Sequence, residues 1–125
     1  MKEIIKSEKA PTPIGPYSHA VKAGNFIFLS GQVGVNPETG ELVKGDIKKE
    51  AAQVMENLQS VLVAAGADFS NVVKTSIFLS DMSYFADVNE VYGSYFTGNY
   101  PARETVAVKT LPRNANVEIS MIVMK

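Results

Sequence analysis

One apolar stripe at helical spacing constrains the fold of this chain more than any other feature of its sequence. After Asp46, apolar residues recur at steps of three and four, at Ile47, Ala51, Val54, Met55, Leu58, Val61, Leu62 and Ala65. This spacing predicts an amphipathic helix that Asp46 caps and Gly66 ends. Because the helix has a single apolar face, it must bury that face against a second layer of structure.

A second segment shows the same period over a shorter length. Ser80-Asp81 offers an N-cap, and Gly98 and Pro101 close the segment. The apolar face of this second predicted helix consists of Phe85, Val88, Tyr92, Tyr95 and Phe96.

Runs typical of strands surround the two predicted helices. The stretch before the first helix predicts a hairpin that turns at Gly24-Asn25, a pair suited to positive φ angles. The order strand–strand–helix–strand–helix–strand–strand predicts a single α+β domain, a two-layer sandwich whose two helices cover one face of a mixed β-sheet. That domain is expected to span residues 1–125, with its later strands at 71–79, around 104–110 and at 117–124.

The last predicted strand is apolar on both of its sides. One side carries Val117, Ile119, Met121 and Val123, while the other adds Ile122 and Met124 to the polar Glu118 and Ser120. The strand at 26–30 is also apolar on both sides. Since helices cover only one face of the sheet, the other face would be a large apolar patch, which usually marks association. The sequence therefore predicts a homo-oligomer packed through its sheets.

Composition limits the chemistry that the chain can carry. There is no cysteine and only one histidine, His19, and no Asp/Glu cluster has metal-ligand spacing. No metal site, thiol nucleophile or cofactor is therefore expected. A net charge of −1 without a basic stripe argues against nucleic acid. No run approaches the ~20 apolar residues of a membrane helix, and no signal-peptide core is evident, so a cytoplasmic location is expected.

Two charged residues stand in strands that are otherwise apolar. Arg103 either extends a solvated head from the surface or forms a bidentate clamp on a carboxylate. Glu118 either faces water from an edge strand or is a buried or interfacial carboxylate that accepts a proton or holds a water. A hairpin centred on LPRNAN would place Glu118 opposite about Lys109, and Arg103 on the order of 20 Å away. If both residues serve one small ligand, they come from neighbouring subunits.

The proline-rich loop at 8–18 and the following strand hold further candidates. Tyr17 either packs on the surface or forms a wall whose hydroxyl touches a ligand. Ser30-Gly31 ends an apolar strand, where glycine provides either a simple bend or room for a ligand close to the backbone. Ser30 lacks a base at readable spacing, so it is a weak nucleophile candidate. His19 is interpreted as a structural histidine.

Three segments together resemble the Rid/YjgF family of reactive-intermediate imine/enamine deaminases. They are GPYSHAV at 15–21, FLSGQVG at 28–34, and PARETVAV…LP…VEI at 101–119, and the resemblance covers essentially the whole chain. It implies a chorismate-mutase-like fold and a homotrimer with sites between subunits. It also implies hydrolysis of 2-imino acids, in equilibrium with their enamines, to 2-oxo acids and ammonia. The substrates would include 2-aminoacrylate from serine and threonine dehydratases.

The resemblance also implies roles for individual residues. Arg103 matches the arginine that grips the substrate carboxylate, and Glu118 matches the glutamate that holds and polarises the attacking water. Ser120 replaces a second acidic residue that is common in the family.

The remaining matched residues surround these two. Tyr17, Ser30 and Gly31 match residues around the imine end of the substrate, and Asn89 matches an asparagine near the site. Thr105 stands where many members have cysteine, so thiol-dependent functions of those members do not carry over.

Two alternatives to an enzyme of this kind remain open at the level of sequence. A non-catalytic trimer that binds 2-oxo acids or similar small carboxylates would use the same Arg103. RNA cleavage is the weakest interpretation, because the chain has near-neutral charge, no basic groove and no histidine pair.

Overall fold

A computed structural model describes residues 1–125 and contains six β-strands and two α-helices. In chain order the elements are β1 (Glu3–Ile5), β2 (Ala20–Ala23), β3 (Phe26–Val33), α1 (Ile47–Ala64), β4 (Val72–Leu79), α2 (Phe85–Gly93), β5 (Ala102–Ala107) and β6 (Val117–Met124). The predicted α+β class is confirmed, with β1 as one strand more than the sequence predicts.

The strands form one mixed sheet in the order β1-β2-β3-β6-β4-β5. All neighbouring pairs are antiparallel except β4 and β5, which are parallel. The predicted hairpin between the last two strands is therefore wrong, because β4 lies between β5 and β6. The physical reason is that α2 crosses over between β4 and β5, and such a crossover places two strands side by side in parallel.

Helix α1 begins and ends where the sequence predicts. The Asp46 side chain accepts hydrogen bonds from the backbone N–H groups of Lys48 (3.0 Å) and Lys49 (3.2 Å). Gly66 follows the helix with φ at 73°. The apolar side chains of α1 that are fully enclosed against the sheet are Ala51, Val54, Met55, Leu58, Val61 and Leu62.

Helix α2 is shorter than predicted. Asp81 caps a 3₁₀ turn at Met82–Tyr84 instead, and accepts from the N–H of Ser83 at 2.8 Å. The helix itself begins at Phe85. Tyr95 and Phe96 follow its end but still pack against the core, where the ring centroids of Phe96 and Phe69 are 5.5 Å apart.

The sheet face that the helices leave open is apolar, as predicted. Phe26 lies opposite Met124 across the β3–β6 pair, and Phe28 lies opposite Ile122. Phe26, Phe28 and Met124 are 42%, 45% and 50% exposed. Large apolar side chains at this exposure form a surface suited to contact with another protein. Neither helix is long and apolar enough to cross a membrane.

Candidate functional site

The candidate residues lie in two separate pockets of the protomer. The Glu118 half-site comprises Tyr17, Ser30, Gly31 and Glu118, which line a pocket of about 640 Å³. The Arg103 half-site comprises Arg103 and residues of α2, around a second pocket of about 460 Å³.

Glu118 lies in β6, opposite Val33 of β3 and Phe78 of β4. Its position in the middle of the sheet leaves the side chain half-buried, and this burial raises the pKa of the Glu118 carboxyl above its usual value of 4.5. No lysine or arginine nitrogen lies within 4.0 Å of the carboxylate. The interpretation of Glu118 as a water-facing edge residue is wrong, because β6 is an interior strand.

Gly31 leaves the space that the Glu118 carboxylate occupies. A Cβ atom at Gly31 would lie 2.5 Å from Glu118 Oε2 and 2.9 Å from its Cδ, closer than real side chains approach. The β3–β6 register shifts at this point, between Leu29 and Gln32. The absence of a side chain at Gly31 therefore makes room for the Glu118 carboxylate, and the bulge determines the position of that carboxylate.

Ser30 connects this bulge to the proline-rich loop. Its hydroxyl donates to the carbonyl of Ser18 at 2.6 Å, and its N–H donates to the carbonyl of His19 at 3.0 Å. Because the hydroxyl proton already has an acceptor, Ser30 positions the segment that carries Tyr17. Tyr17 is half-exposed and forms one wall of the pocket.

His19 holds the same loop in place. It is buried, its Nδ1 accepts from the N–H of Ser7 at 3.0 Å, and its Nε2 lies 2.7 Å from the carbonyl of Pro11. The neutral tautomer with the proton on Nε2 satisfies both contacts. The interpretation of His19 as a structural histidine is confirmed.

Arg103 is held against α2 and does not extend freely into solvent. Its Nη1 donates to Asn89 Oδ1 at 2.7 Å. The guanidinium carbon lies 5.2 Å from the ring centre of Tyr92 and 5.7 Å from that of Phe85. These contacts fix the plane of the guanidinium and occupy only one of its donors, so its other donors can bind an anion.

Phe85, Asn89 and Tyr92 form one face of α2, at steps of four and three. Helical spacing predicts Phe85 and Tyr92 as core residues, whereas only the family resemblance implies a role for Asn89. Their helical spacing is the signal that could have placed all three side chains on one face of α2, where they meet Arg103. The Tyr92 hydroxyl also shares a hydrogen bond of 2.9 Å with the Thr75 hydroxyl, and burial raises the pKa of the Tyr92 phenol.

Thr105 lies two residues beyond Arg103 on β5, so both side chains are on the same side of the strand. Its Oγ1 is buried and has no hydrogen-bond partner in the protomer. Buried hydroxyls are normally paired, so this one is an unsatisfied polar atom beside the Arg103 half-site.

The two half-sites cannot share one small ligand within a protomer. In register, Glu118 lies opposite Phe78, and Phe78 lies beside Val106. Arg103 is three residues from Val106, so its Cα is about 14 Å from that of Glu118, from ~3.3 Å per residue and ~4.8 Å per strand. The sheet register thus gives a shorter distance between Arg103 and Glu118 than the ~20 Å expected from a hairpin.

Comparison with known proteins identifies the class. The family model described as Endoribonuclease L-PSP matches residues 7–125. A RutC family protein of Pyrococcus horikoshii is 51% identical over 125 residues, which cover 100% of this chain and 99% of that protein. The 2-iminobutanoate/2-iminopropanoate deaminase of Mus musculus is 48% identical over 125 residues, which cover 100% and 93%.

Solved structures agree with the sequence comparison. RidA from an Antarctic Psychrobacter species has a TM-score of 0.94 and 44% identity, with coverage of 98% of this chain and 99% of that one. The chain belongs to the YjgF/RutC/Rid family.

Proposed function

We propose that this protein is a deaminase that hydrolyses 2-imino acids, in equilibrium with their enamines, to 2-oxo acids and ammonia. The observation that carries the proposal is the Arg103 guanidinium, which is fixed by Asn89 and two aromatic rings and keeps donors for a carboxylate. The activity named for the mouse relative, at 48% identity over the whole chain, supports the same conclusion.

The proposed chemistry needs only groups that the chain contains. Arg103 binds the substrate carboxylate and so orients the imine carbon. Glu118 holds a water and takes one of its protons as the oxygen bonds to that carbon. Because the imine that reacts is protonated, this addition gives a neutral carbinolamine. Glu118 then returns its proton to the nitrogen, the C–N bond breaks, the hydroxyl proton leaves with the ammonia as ammonium, and the 2-oxo acid remains. The raised pKa of Glu118 makes it a stronger base than an ordinary carboxylate.

The proposed enzyme is a homotrimer in which each site joins the Arg103 half-site of one subunit to the Glu118 half-site of the next. The separation of the half-sites within a protomer and the apolar open face of the sheet both support this assembly. In the joined site, Tyr17 and the Ser30-Gly31 bulge surround the imine end, and Thr105 lies on the same side of β5 as Arg103.

The direct test couples the purified protein to a serine dehydratase and follows the release of pyruvate from 2-aminoacrylate. The wild type should accelerate release above the uncatalysed rate, while Arg103→Ala and Glu118→Gln should not. Equal rates for wild type and Arg103→Ala would contradict the role of Arg103. Full activity in Glu118→Gln would contradict the role of Glu118 as the base. A wild type that binds a 2-oxo acid but does not accelerate release would be a binder of small carboxylates and not a catalyst.

Subunit mixing tests the shared site. When Arg103→Ala and Glu118→Gln chains are unfolded together and refolded at equal concentrations, about a quarter of the interfaces in a cyclic trimer combine both intact residues. Activity should therefore return to about a quarter of the wild-type value. Activity that stays at the level of the separate variants would exclude a site shared between subunits.

RNA cleavage, which the description of the family model suggests, has little support in this chain. RNA cleavage by a pair of histidines requires two imidazoles that can exchange protons with the ribose and the phosphate. The only histidine, His19, is 2% exposed and uses both ring nitrogens within the fold. The net charge of −1 offers no general attraction for a polyanion.

A further inference from the structure

Helix α1 buries two polar side chains in a face that is otherwise apolar. Glu50 and Asn57 are each 1% exposed. Burying a carboxylate and an amide costs free energy unless each is hydrogen-bonded, so both positions call for an explanation. Both side chains lie under the ends of the two strands that form the Glu118 half-site.

Glu50 holds the residue that begins β6. Its Oε2 accepts from the backbone N–H of Asn116 at 2.7 Å, and its Oε1 accepts from Asn116 Nδ2 at 3.2 Å. Ser80 fixes the other side of Asn116, with its N–H 3.0 Å from the Asn116 carbonyl and its hydroxyl 2.8 Å from Asn116 Oδ1. Asn116 is thus held on both sides, two residues before Glu118.

The same helix also holds the end of β3. A Cβ atom at Gly34 would lie 2.8 Å from the Glu50 carbonyl oxygen and 2.9 Å from Glu50 Cγ, so the glycine lets α1 lie directly on the strand end. Asn57 Nδ2 donates to the carbonyls of Val33 (3.2 Å) and Val35 (2.9 Å). Val33 is the register partner of Glu118.

We infer that Glu50 is a positioning residue for Glu118, an inference that rests on the proposed function. By tying Asn116 to α1 while α1 rests on Gly34, the Glu50 carboxylate fixes β6 relative to β3. That relation decides how the Glu118 carboxylate lies over Gly31, where the contact leaves no spare room. A base that must hold one water against one carbon is sensitive to displacements of about 1 Å. Arg103 lies on the edge strand β5, beyond β4, so its position does not depend on the Glu50 contact.

The test replaces Glu50 with methionine, which has similar length but cannot accept both Asn116 bonds, in the full-length protein. We expect kcat for imine hydrolysis to fall about tenfold, KM to change less than about twofold, and the acid limb of the pH–rate profile to move. Glu50→Gln keeps an oxygen for the Asn116 N–H and should recover most of the lost kcat. Val54→Ala, on the same helix, provides the control for general loss of stability and should retain wild-type kcat below its unfolding temperature.

The outcomes separate this inference from the proposed function. A wild type without imine hydrolysis overturns the proposed function, and with it the role of Glu50. An active wild type with unchanged kcat and pH profile in Glu50→Met overturns only the role of Glu50, as does a kcat loss that Val54→Ala matches. If Glu50→Met does not fold, Asn116→Ala provides the test, because it keeps the backbone bond and removes the amide bridge. A kcat loss of about threefold then supports the inference, and wild-type kcat overturns it.

Discussion

The Arg103 half-site is built from side chains of one helix, whereas the Glu118 half-site is built mainly from backbone. Arg103 lies against the rings of Phe85 and Tyr92 and bonds to Asn89, and these three residues share one face of α2. Glu118 instead depends on a strand bulge and on the absence of a side chain at Gly31. Side-chain contacts tolerate some change, because neighbours can repack. The recess at Gly31 differs, since an added Cβ meets the Glu118 carboxylate and would have to displace it.

The two half-sites also differ electrostatically. Asn89 and the rings stabilise the charge of Arg103, while burial without a cation raises the pKa of Glu118 and disfavours its charge. The charged form is therefore stabilised in the Arg103 half-site and destabilised in the Glu118 half-site.

The largest effect should come from Glu118→Gln, which keeps the shape of the residue and removes the proposed base. We expect kcat to fall about 10²–10⁴-fold, the usual contribution of a general base, with little change in KM. Steady-state kinetics of pyruvate release would measure it. Loss confined to KM would show that Glu118 binds substrate and does not activate water, and the two half-sites would then have the same task.

Arg103→Lys should have the next largest effect. The lysine keeps the charge but loses the planar fork and its stacking on Phe85 and Tyr92, so we expect KM to rise about 10–100-fold. The comparison of kcat and KM with those of wild type measures the split. Lys109→Ala, which removes an exposed cation after the same strand, should leave both constants unchanged. A lysine variant with wild-type KM would mean that net charge alone, and not the fork, binds the carboxylate.

Gly31→Ala should destabilise the protein, because its Cβ would overlap the Glu118 carboxylate. Overpacking of this kind costs about 1–3 kcal/mol, measured by denaturant unfolding. Gly93→Ala provides the matched control and should not cause this loss, since an added Cβ there meets nothing within 4 Å.

A double variant isolates the contact behind that loss. In a Glu118→Ala background the overlap is gone, so Gly31→Ala should cost much less. An equal cost in both backgrounds would show that Gly31 serves backbone geometry and not the carboxylate.

Much of the fold follows from local pattern. The spacing after Asp46 and the positive φ at Gly66 define α1, and the alternation in residues 117–124 defines β6 with the bounds that the structure has. Strand β1 was not predicted, because three residues at an edge carry too little pattern. The order of β4, β5 and β6 was predicted wrongly because a short turn between two strand-like runs favours a hairpin. Only the crossover through α2 decides otherwise.

The candidate site also contains residues that the sequence predicts and residues that it does not. Arg103 and Glu118 are visible in the sequence, because a charge in an apolar strand is costly without a task. Tyr92 is ambiguous, since stacking on a ligand-binding cation and packing in a core use the same helical spacing. Glu50 and the contact between Gly31 and Glu118 could not be predicted. They depend on the β3–β6 register and on how α1 lies on the sheet, which no local pattern encodes.

The smallest expected effect concerns stability as a function of pH. Because burial raises the pKa of Glu118 in the folded protein above its usual 4.5, the folded state binds this proton more tightly than the unfolded state. The contribution is fully present below pH 4.5 and is lost as pH rises through the folded-state pKa. Glu118→Gln lacks this loss, so it should match the wild type in acid and exceed it in stability at neutral pH. Denaturant unfolding of both proteins across this range, at one protein concentration, measures the difference. A wild type that gains stability over the variant as pH rises would mean that Glu118 has a favourable partner, and the electrostatic contrast between the half-sites would not hold.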